Sequence, residues 1–163
     1  SDGPVGGLGE MNVNEDLLGV REVRFLKGRC LGRASIDADT AEARAAAVSF
    51  AQAVIAPIPA DGSKPTDDDE LKAFVPASGA VAGWDEDPED TTKGPWLINT
   101  SAFDWINGGG KPFEDNGFEA AAGDKYVKSG QPWMLNLELV RMKDAAGAEK
   151  AFRGAEWDKG AAP

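Results

Sequence analysis

Carboxylate side chains are concentrated in one part of the sequence. Residues 61–90 contain ten of them and only two lysines. They are Asp61, Asp67, Asp68, Asp69, Glu70, Asp85, Glu86, Asp87, Glu89 and Asp90. Clustered oxygen ligands on a flexible loop can bind a hard cation such as calcium. They can also steer a basic protein partner toward the loop, or simply form a solvated acidic surface.

The spacing of the acidic residues matches no EF-hand calcium loop. Such a loop needs a glycine near its middle and a glutamate at its end. Both are missing from the segment that begins with Asp37 and Asp39. The sequence therefore leaves the metal question open, and we expect no cofactor.

The residue types present give little support for catalysis. The sequence contains no histidine, so the commonest general base and metal ligand is absent. A serine or cysteine nucleophile would lack its usual partner. Paired carboxylates can hydrolyse a glycosidic bond, but spacing in a sequence does not show that two of them face each other. We assign no catalytic residue, and an enzyme is the less favoured interpretation.

A basic segment precedes the acidic one. Residues 21–33 contain five basic side chains and only one acidic side chain, Glu22. Arginine presents a planar, two-pronged donor that suits carboxylate and phosphate groups. We therefore take Arg21, Arg24, Arg29 and Arg33 as candidate partner-binding residues. The alternative is that they pair with the protein's own excess of acid.

Five tryptophans form a second candidate set. Trp96 and Trp133 begin predicted strands, where we expect them to join the core, and Trp105 precedes a run of glycines. Trp84 precedes an acidic run and Trp157 lies near the C-terminal end. A tryptophan ring can anchor a protein interface or stack on a sugar ring. We therefore add Trp84 and Trp157 to the candidate partner-binding residues.

The net charge of −11 narrows the choice of partner. A phosphate backbone would be repelled, so we predict no nucleic-acid partner, and anionic membrane surfaces are disfavoured for the same reason. The sequence has no apolar run of the length that a transmembrane helix needs. We expect a soluble protein that reaches a membrane only through its partners. The single cysteine, Cys30, cannot form an internal disulfide and is expected in the core.

Hydrophobic periodicity predicts the elements that position these residues. Residues 20–36 are predicted to be extended as a bent strand or hairpin, with turns or bulges at Gly28 and Gly32. Residues 40–56 are predicted to form an alanine-rich core helix with Asp39 as its cap. Shorter helices are predicted over 67–74 and 145–152, and strands over 96–99, 103–106 and 133–142. Residues 111–130 are predicted to be irregular, with one helical turn over 119–122.

These elements predict an α+β fold, because the strands do not alternate regularly with helices. We expect a small antiparallel sheet packed by one Ala-rich helix, with extensive irregular loops and extended termini. The predicted organisation is an extended N-terminal arm over 1–19, a single globular domain over 20–153 and a C-terminal tail over 154–163.

Both termini are rich in glycine and proline or in small residues, and they can bury little apolar surface. We expect neighbouring molecules to hold them in place. The chain begins at Ser1 rather than methionine, which is consistent with a processed organellar or extracytoplasmic protein or with a truncated chain. The compartment therefore stays open.

Together these features favour a non-catalytic accessory or structural subunit of a large multiprotein assembly. A peripheral position on a photosynthetic or respiratory membrane complex is one such context. The protein would bind other protein subunits with basic surfaces through its termini and its acidic loops. The alternative hypothesis is a secreted carbohydrate-binding or glycosidase-like domain that uses loop tryptophans and carboxylates.

Overall fold

A computed structural model of the chain describes residues 10–15, 21–38, 40–59, 68–90, 94–106 and 109–153. Within these residues the strands, in chain order, are β1 Glu10–Glu15, β2 Arg21–Lys27, β3 Cys30–Ile36, β4 Trp84–Glu86, β5 Trp96–Ile98, β6 Phe118–Lys128 and β7 Met134–Met142. The helices are α1 Ala41–Ile55, α2 Asp68–Ala73, α3 Ala102–Trp105, α4 Lys111–Asp115 and α5 Ala145–Phe152.

The strands form one antiparallel sheet in the order β1-β2-β3-β7-β6-β4, and β5 also pairs with β6. Strands β2 and β3 form one hairpin and strands β6 and β7 form another, and Gly28 permits the β2–β3 turn with its positive φ of 59°. The pairing of β3 with β7 joins the two hairpins, and it places Arg33 opposite Glu138. At the far end of the sheet, the short strand β4 pairs with the end of β6.

Helix α1 covers the first face of the sheet. The Thr40 side chain accepts a hydrogen bond from the Ala43 amide and so begins the helix, whereas the predicted cap, Asp39, lies outside the described residues. The alanines of α1 allow a close approach to β2 and β3, and its Phe50 packs against the rings of Trp84 and Tyr126. The same core includes Leu71 of α2.

Helices α3, α4 and α5 cover the opposite, second face. Their buried residues, among them Phe113 and Phe152, pack with Val140 and Met142 of β7. Strand alternation produces the two cores, because successive side chains of one strand point to opposite faces. The sheet therefore lies between two helical layers, of which the sequence predicted only the one formed by α1.

The predicted α+β class and antiparallel sheet are confirmed. Two predicted elements are wrong. Residues 103–106 are not a strand, because the Ser101 hydroxyl accepts from the Phe103 amide and caps α3. Residues 111–130 are not irregular; they form α4 and β6, the longest of the described strands, and the helical turn predicted over 119–122 lies within β6. The sequence did not predict that strand, because it contains residues such as Ala120 and Gly123, and alanine and glycine are depleted in strands.

Part of the segment predicted as an N-terminal arm forms β1, which pairs with β2 from Glu10 opposite Leu26 to Glu15 opposite Arg21. Residues 1–9 and 154–163 lie outside the described residues. The expectation that neighbouring molecules hold the termini, and the domain boundaries drawn around them, therefore stay predictions.

Candidate functional site

Two of the candidate arginines lie together on the second face of the sheet. Arg24 and Arg33 stand opposite each other on β2 and β3, and Glu138 stands beside Arg33 on β7. Arg33 reaches Glu22 Oε1 through Nη1 at 3.1 Å and Glu138 Oε1 through Nε at 3.0 Å. Arg24 Nη2 lies 3.0 Å from Glu22 Oε2. We call Glu22, Arg24, Arg33 and Glu138 the charge cluster.

The charge cluster is largely withdrawn from solvent. The Arg24 side chain is 4% exposed, and that of Arg33 is 12% exposed. The Trp105 indole covers part of the cluster and donates from Nε1 to Glu138 Oε2 at 2.8 Å. Charges removed from water in this way must be paired, because an unpaired buried charge is strongly destabilising. The cluster therefore fixes the packing of three strands.

Arg29 forms a second internal group. It lies in the β2–β3 turn and is 6% exposed. Its Nε donates to the carbonyl of Met142 at 2.8 Å, and its Nη2 lies 2.6 Å from Glu119 Oε1. The same carboxylate oxygen accepts from Arg141 Nε at 2.9 Å, and Arg141 also bonds Asp68. Arg24, Arg29 and Arg33 thus pair with the protein's own acids, which was the alternative interpretation of the basic segment.

The remaining arginine and the tail tryptophan are not placed by the structure. The backbone of Arg21 begins β2 opposite Ile36, and its side chain is not among those described. Trp157 lies outside the described residues. A partner-binding role for either residue stays a prediction.

The described tryptophans pack inward. Trp84 is 3% exposed and meets the Phe50 ring edge to face at a centroid distance of 5.8 Å. In this position Trp84 holds β4 against α1 and presents no ring surface to a partner or to a sugar. Trp96, Trp105 and Trp133 are half-buried and pack against the two cores. The close packing of β7 and Trp96 requires a glycine at 123, because a Cβ there would lie 2.2 Å from the Leu137 carbonyl oxygen and 2.5 Å from the Trp96 ring.

The acidic residues of β4 and the turn after it have a different environment. We call Asp85, Glu86, Asp87, Glu89 and Asp90 the acidic edge, because β4 is the last strand in the sheet order of the described residues. Asp85 and Glu89 are exposed, and the other three are half-buried. The chain after β4 stays beside β6, since the Asp87 amide donates to the Lys125 carbonyl at 2.8 Å.

The first four residues of the acidic edge form no ion pair in the described part of the chain. Two of their carboxylates accept hydrogen bonds from nearby groups: Glu86 Oε2 accepts from the Ser78 hydroxyl at 3.4 Å, and Asp87 Oδ1 accepts from the Glu89 amide at 3.0 Å. Lys125, on the neighbouring strand, is exposed and pairs with none of them. The acidic edge therefore holds uncompensated negative charge at the surface.

Asp124 lies on β6 beneath the acidic edge and was missed by the sequence analysis. It is 3% exposed, and its Oδ1 accepts from the Lys125 amide at 2.8 Å. Burial raises the pKa of the Asp124 carboxyl to about 7, and Glu86 and Asp90 act in the same direction. Alternation could have predicted that Asp124 is buried, because Ala120, Ala122, Asp124 and Tyr126 follow one another at a spacing of two and therefore share a face of the strand.

Neither a metal centre nor a reactive thiol is found in the described part of the chain. No group of three or more Asp, Glu or Cys side chains there has a geometry that could hold a metal ion. Cys30 is fully buried, and burial raises the pKa of its thiol to about 12. The prediction that Cys30 is a small core side chain is confirmed.

Comparisons with protein-family models, with curated proteins and with solved structures found no match for this chain. Among the described helices, none combines the length and the apolar character that a membrane span requires. The case for a function therefore depends on the geometry of the charged residues.

Proposed function

We propose that this protein is a non-catalytic accessory subunit of a larger protein assembly, and that it binds a basic surface of a partner through the acidic edge. One observation carries the proposal: Asp85, Glu86, Asp87 and Glu89 form no ion pair in the described part of the chain, although the arginines of β2 and β3 are all matched where their side chains are described.

The position of the acidic edge also supports docking. An outermost strand is approachable from one side, and charged residues on it disfavour indiscriminate pairing with other strands. Negative charge at such a place attracts a basic surface and raises its rate of association. The local bonds of Ser78 and Asp87 order the chain here, so that little conformational entropy is lost on binding.

A blocked oligo-lysine peptide, followed by fluorescence anisotropy at low salt, tests the docking step. The variant that combines Asp85→Asn, Asp87→Asn and Glu89→Gln is expected to lose about tenfold or more in affinity. Added salt should weaken binding to the unmodified protein, because exposed charges are screened.

A matched control separates the acidic edge from net charge. The combination Glu42→Gln, Asp69→Asn and Asp115→Asn removes the same number of charges from exposed acids that already pair with lysines. Its affinity should fall by less than about threefold. Equal losses in the two triple variants would contradict a local docking site.

The wider proposal concerns the assembly. A photosynthetic or respiratory membrane complex, with this protein on its periphery, is the context that we propose. The mass of the protein under native conditions, measured after mild extraction from its source, tests this part. A subunit migrates with its partners, whereas a protein that migrates as a free monomer contradicts the role.

A further inference from the structure

Asp124 has a buried carboxyl group in which only one of the two oxygens accepts a hydrogen bond. Its Oδ1 accepts from the Lys125 amide, but its Oδ2 is buried and has no hydrogen-bond partner. An unsatisfied buried carboxylate oxygen is costly, because it has lost its water without gaining a donor. A proton on that oxygen would remove the charge and supply a donor.

Glu86 lies within reach of that proton. It stands opposite Tyr126 in the β4–β6 register, so it shares a face with Asp124 on the diagonal, where longer side chains meet. Ser78 holds Glu86 in place, since its hydroxyl accepts from the Glu86 amide at 2.8 Å and donates to Oε2 at 3.4 Å. Glu86 is therefore the natural acceptor for a proton carried by Asp124.

Among the other groups around Asp124, Asp90 favours the protonated state, whereas the Lys125 amide, which donates to Oδ1, lowers the pKa. Asp90, from the turn after β4, adds negative charge, and the phenol of Tyr126 lies two residues further along β6. On β7, Leu137 stands opposite Asp124, and the side chain of Lys125 points to the opposite face of the sheet. No described basic side chain forms an ion pair with Asp124. Burial thus raises the pKa of Asp124 to about 7 without an opposing cation.

We propose that Asp124 and Glu86 share a proton, and that loss of this proton strengthens the binding of a basic partner at the acidic edge. This inference rests on the proposed docking function. The deprotonated pair adds one negative charge beneath the edge, so a basic partner favours it. By linkage, binding of that partner must release a proton in the pH range where Asp124 titrates.

The composition of the protein makes the effect measurable. There is no histidine, so no side chain with an ordinary pKa titrates between pH 6 and pH 8. The lysines of an oligo-lysine peptide with blocked ends also stay charged over that range. A change in affinity between these two pH values therefore reports on a perturbed group, with the α-amino group as the remaining contributor.

The experiment measures the affinity of the blocked oligo-lysine peptide at pH 6 and pH 8 at constant ionic strength. The unmodified protein should bind about threefold more tightly at pH 8, and Asp124→Asn should remove that difference. Calorimetry in two buffers of different ionisation enthalpy should detect proton release for the unmodified protein alone. Asp85→Asn, on the exposed side of β4, should keep the pH dependence.

Each outcome has a distinct meaning. If the peptide binds neither at pH 6 nor at pH 8, the proposed docking function fails and the inference fails with it. If the peptide binds, but the pH dependence is the same in Asp124→Asn, the docking function stands and only the shared proton is overturned.

Direct titration of the carboxyl carbons by NMR protects the test against a variant that does not fold. One carboxyl group of the unmodified protein should titrate near pH 7, and Glu86→Gln should move that midpoint down. If every carboxyl group titrates below about pH 5, which is the ordinary range for aspartate and glutamate, the inference is overturned.

Discussion

The charge cluster and the acidic edge show two ways in which one sheet carries charged side chains. In the charge cluster, three neighbouring strands bring Arg24 and Arg33 against Glu22 and Glu138, with little exposure to water. At the acidic edge, Asp85 and Glu89 face solvent and no described cation pairs with them. The difference follows position in the sheet: a central charge must be paired, whereas an edge charge can be solvated.

The comparison favours one of the two interpretations given to the basic segment, namely that its arginines pair with the protein's own acids. Arginine is a good recognition residue in general, yet here the described arginines of β2 and β3 serve the fold. The sequence offered the acidic residues after Trp84 either as a docking surface or as a solvated surface, and four of them, Asp85, Glu86, Asp87 and Glu89, form no ion pair in the described part of the chain. Burial, rather than the count of charges, separates structural from functional candidates in this protein.

The largest expected effect is in the charge cluster. Arg33→Leu leaves Glu138 without its cation, and we expect the free energy of unfolding to fall by about 3 kcal/mol. We do not expect the loss to reach the largest values known for breaking a buried ion pair, about 5 kcal/mol, because Glu22 keeps its contact with Arg24. Urea denaturation followed by tryptophan fluorescence measures the change.

Arg33→Lys is the matched control for this prediction. It keeps the positive charge but has a single nitrogen, whereas Arg33 reaches Glu22 and Glu138 through two different nitrogens, so its loss should be intermediate. A loss below about 1 kcal/mol in Arg33→Leu would mean that the cluster does not hold the strands together, and the contrast with the acidic edge would disappear.

The next effect concerns the pH dependence of stability. The folded-state pKa of Asp124, about 7, lies above its ordinary value of 3.8, so the folded protein binds this proton more tightly than the unfolded chain does. The stabilisation is complete below about pH 3.8 and is lost as the pH rises through about 7. Its limiting slope is about 1.4 kcal/mol per pH unit.

Urea denaturation between pH 5 and pH 8 checks this prediction. Asp124→Asn should flatten the decline and be the more stable protein at pH 8. Asp85→Asn should follow the unmodified protein, because Asp85 is exposed. Parallel curves for Asp124→Asn and the unmodified protein would show that this carboxyl group titrates normally.

Much of the fold could be predicted from the sequence. The alternation of β7 and the period of α1 are strong signals, because each element buries one side of a long segment. β6 escaped detection because its alanines pack beneath helices without the bulk of a typical strand residue. The short helix α3 depends on the Ser101 cap, which a propensity pattern over four residues does not reveal.

The candidate site was only partly predictable. The acidic residues after Trp84 were noted as possible docking groups, but their unpaired state depends on which cations the fold brings near them. The inward direction of Arg24 and Arg33 depends on the register with β7, which pairs residues more than 100 positions apart. The burial of Asp124 follows from the burial of β6. The spacing of two shared by Ala120, Ala122, Asp124 and Tyr126 was a local signal, but the low strand propensity of alanine and glycine outweighed it.

A smaller effect is expected at the Tyr126 hydroxyl, between the two regions. This hydroxyl is buried and donates to the Pro76 carbonyl at 2.7 Å. Tyr126→Phe should cost about 1 kcal/mol, because the carbonyl loses its donor while the ring packing is kept. Denaturation in urea measures this cost, and an unchanged stability would show that the bond contributes nothing.

The same residue offers a second measurement. Tyr126 is the only tyrosine, so the ultraviolet absorbance of phenolate reports on it alone. Burial raises the pKa of its phenol above the ordinary value, and the carboxylates of Asp124 and Glu86 add to the shift. We expect phenolate to appear only when the protein unfolds at alkaline pH. A reversible titration near pH 10 in the folded state would contradict this burial.

The smallest effect is expected at an exposed ion pair. Lys111 Nζ lies 2.7 Å from Asp115 Oδ2, a shorter distance than those in the charge cluster, but the two side chains are 75% and 55% exposed. Asp115→Asn should change the free energy of unfolding by less than about 0.5 kcal/mol, because water screens the pair and an acid at the end of a helix opposes the helix dipole. Urea denaturation of Asp115→Asn and Arg33→Leu under the same conditions measures both changes in the free energy of unfolding. A loss as large as that of Arg33→Leu would show that distance rather than burial sets the strength of these pairs, and the distinction between the charge cluster and the rest of the surface would fail.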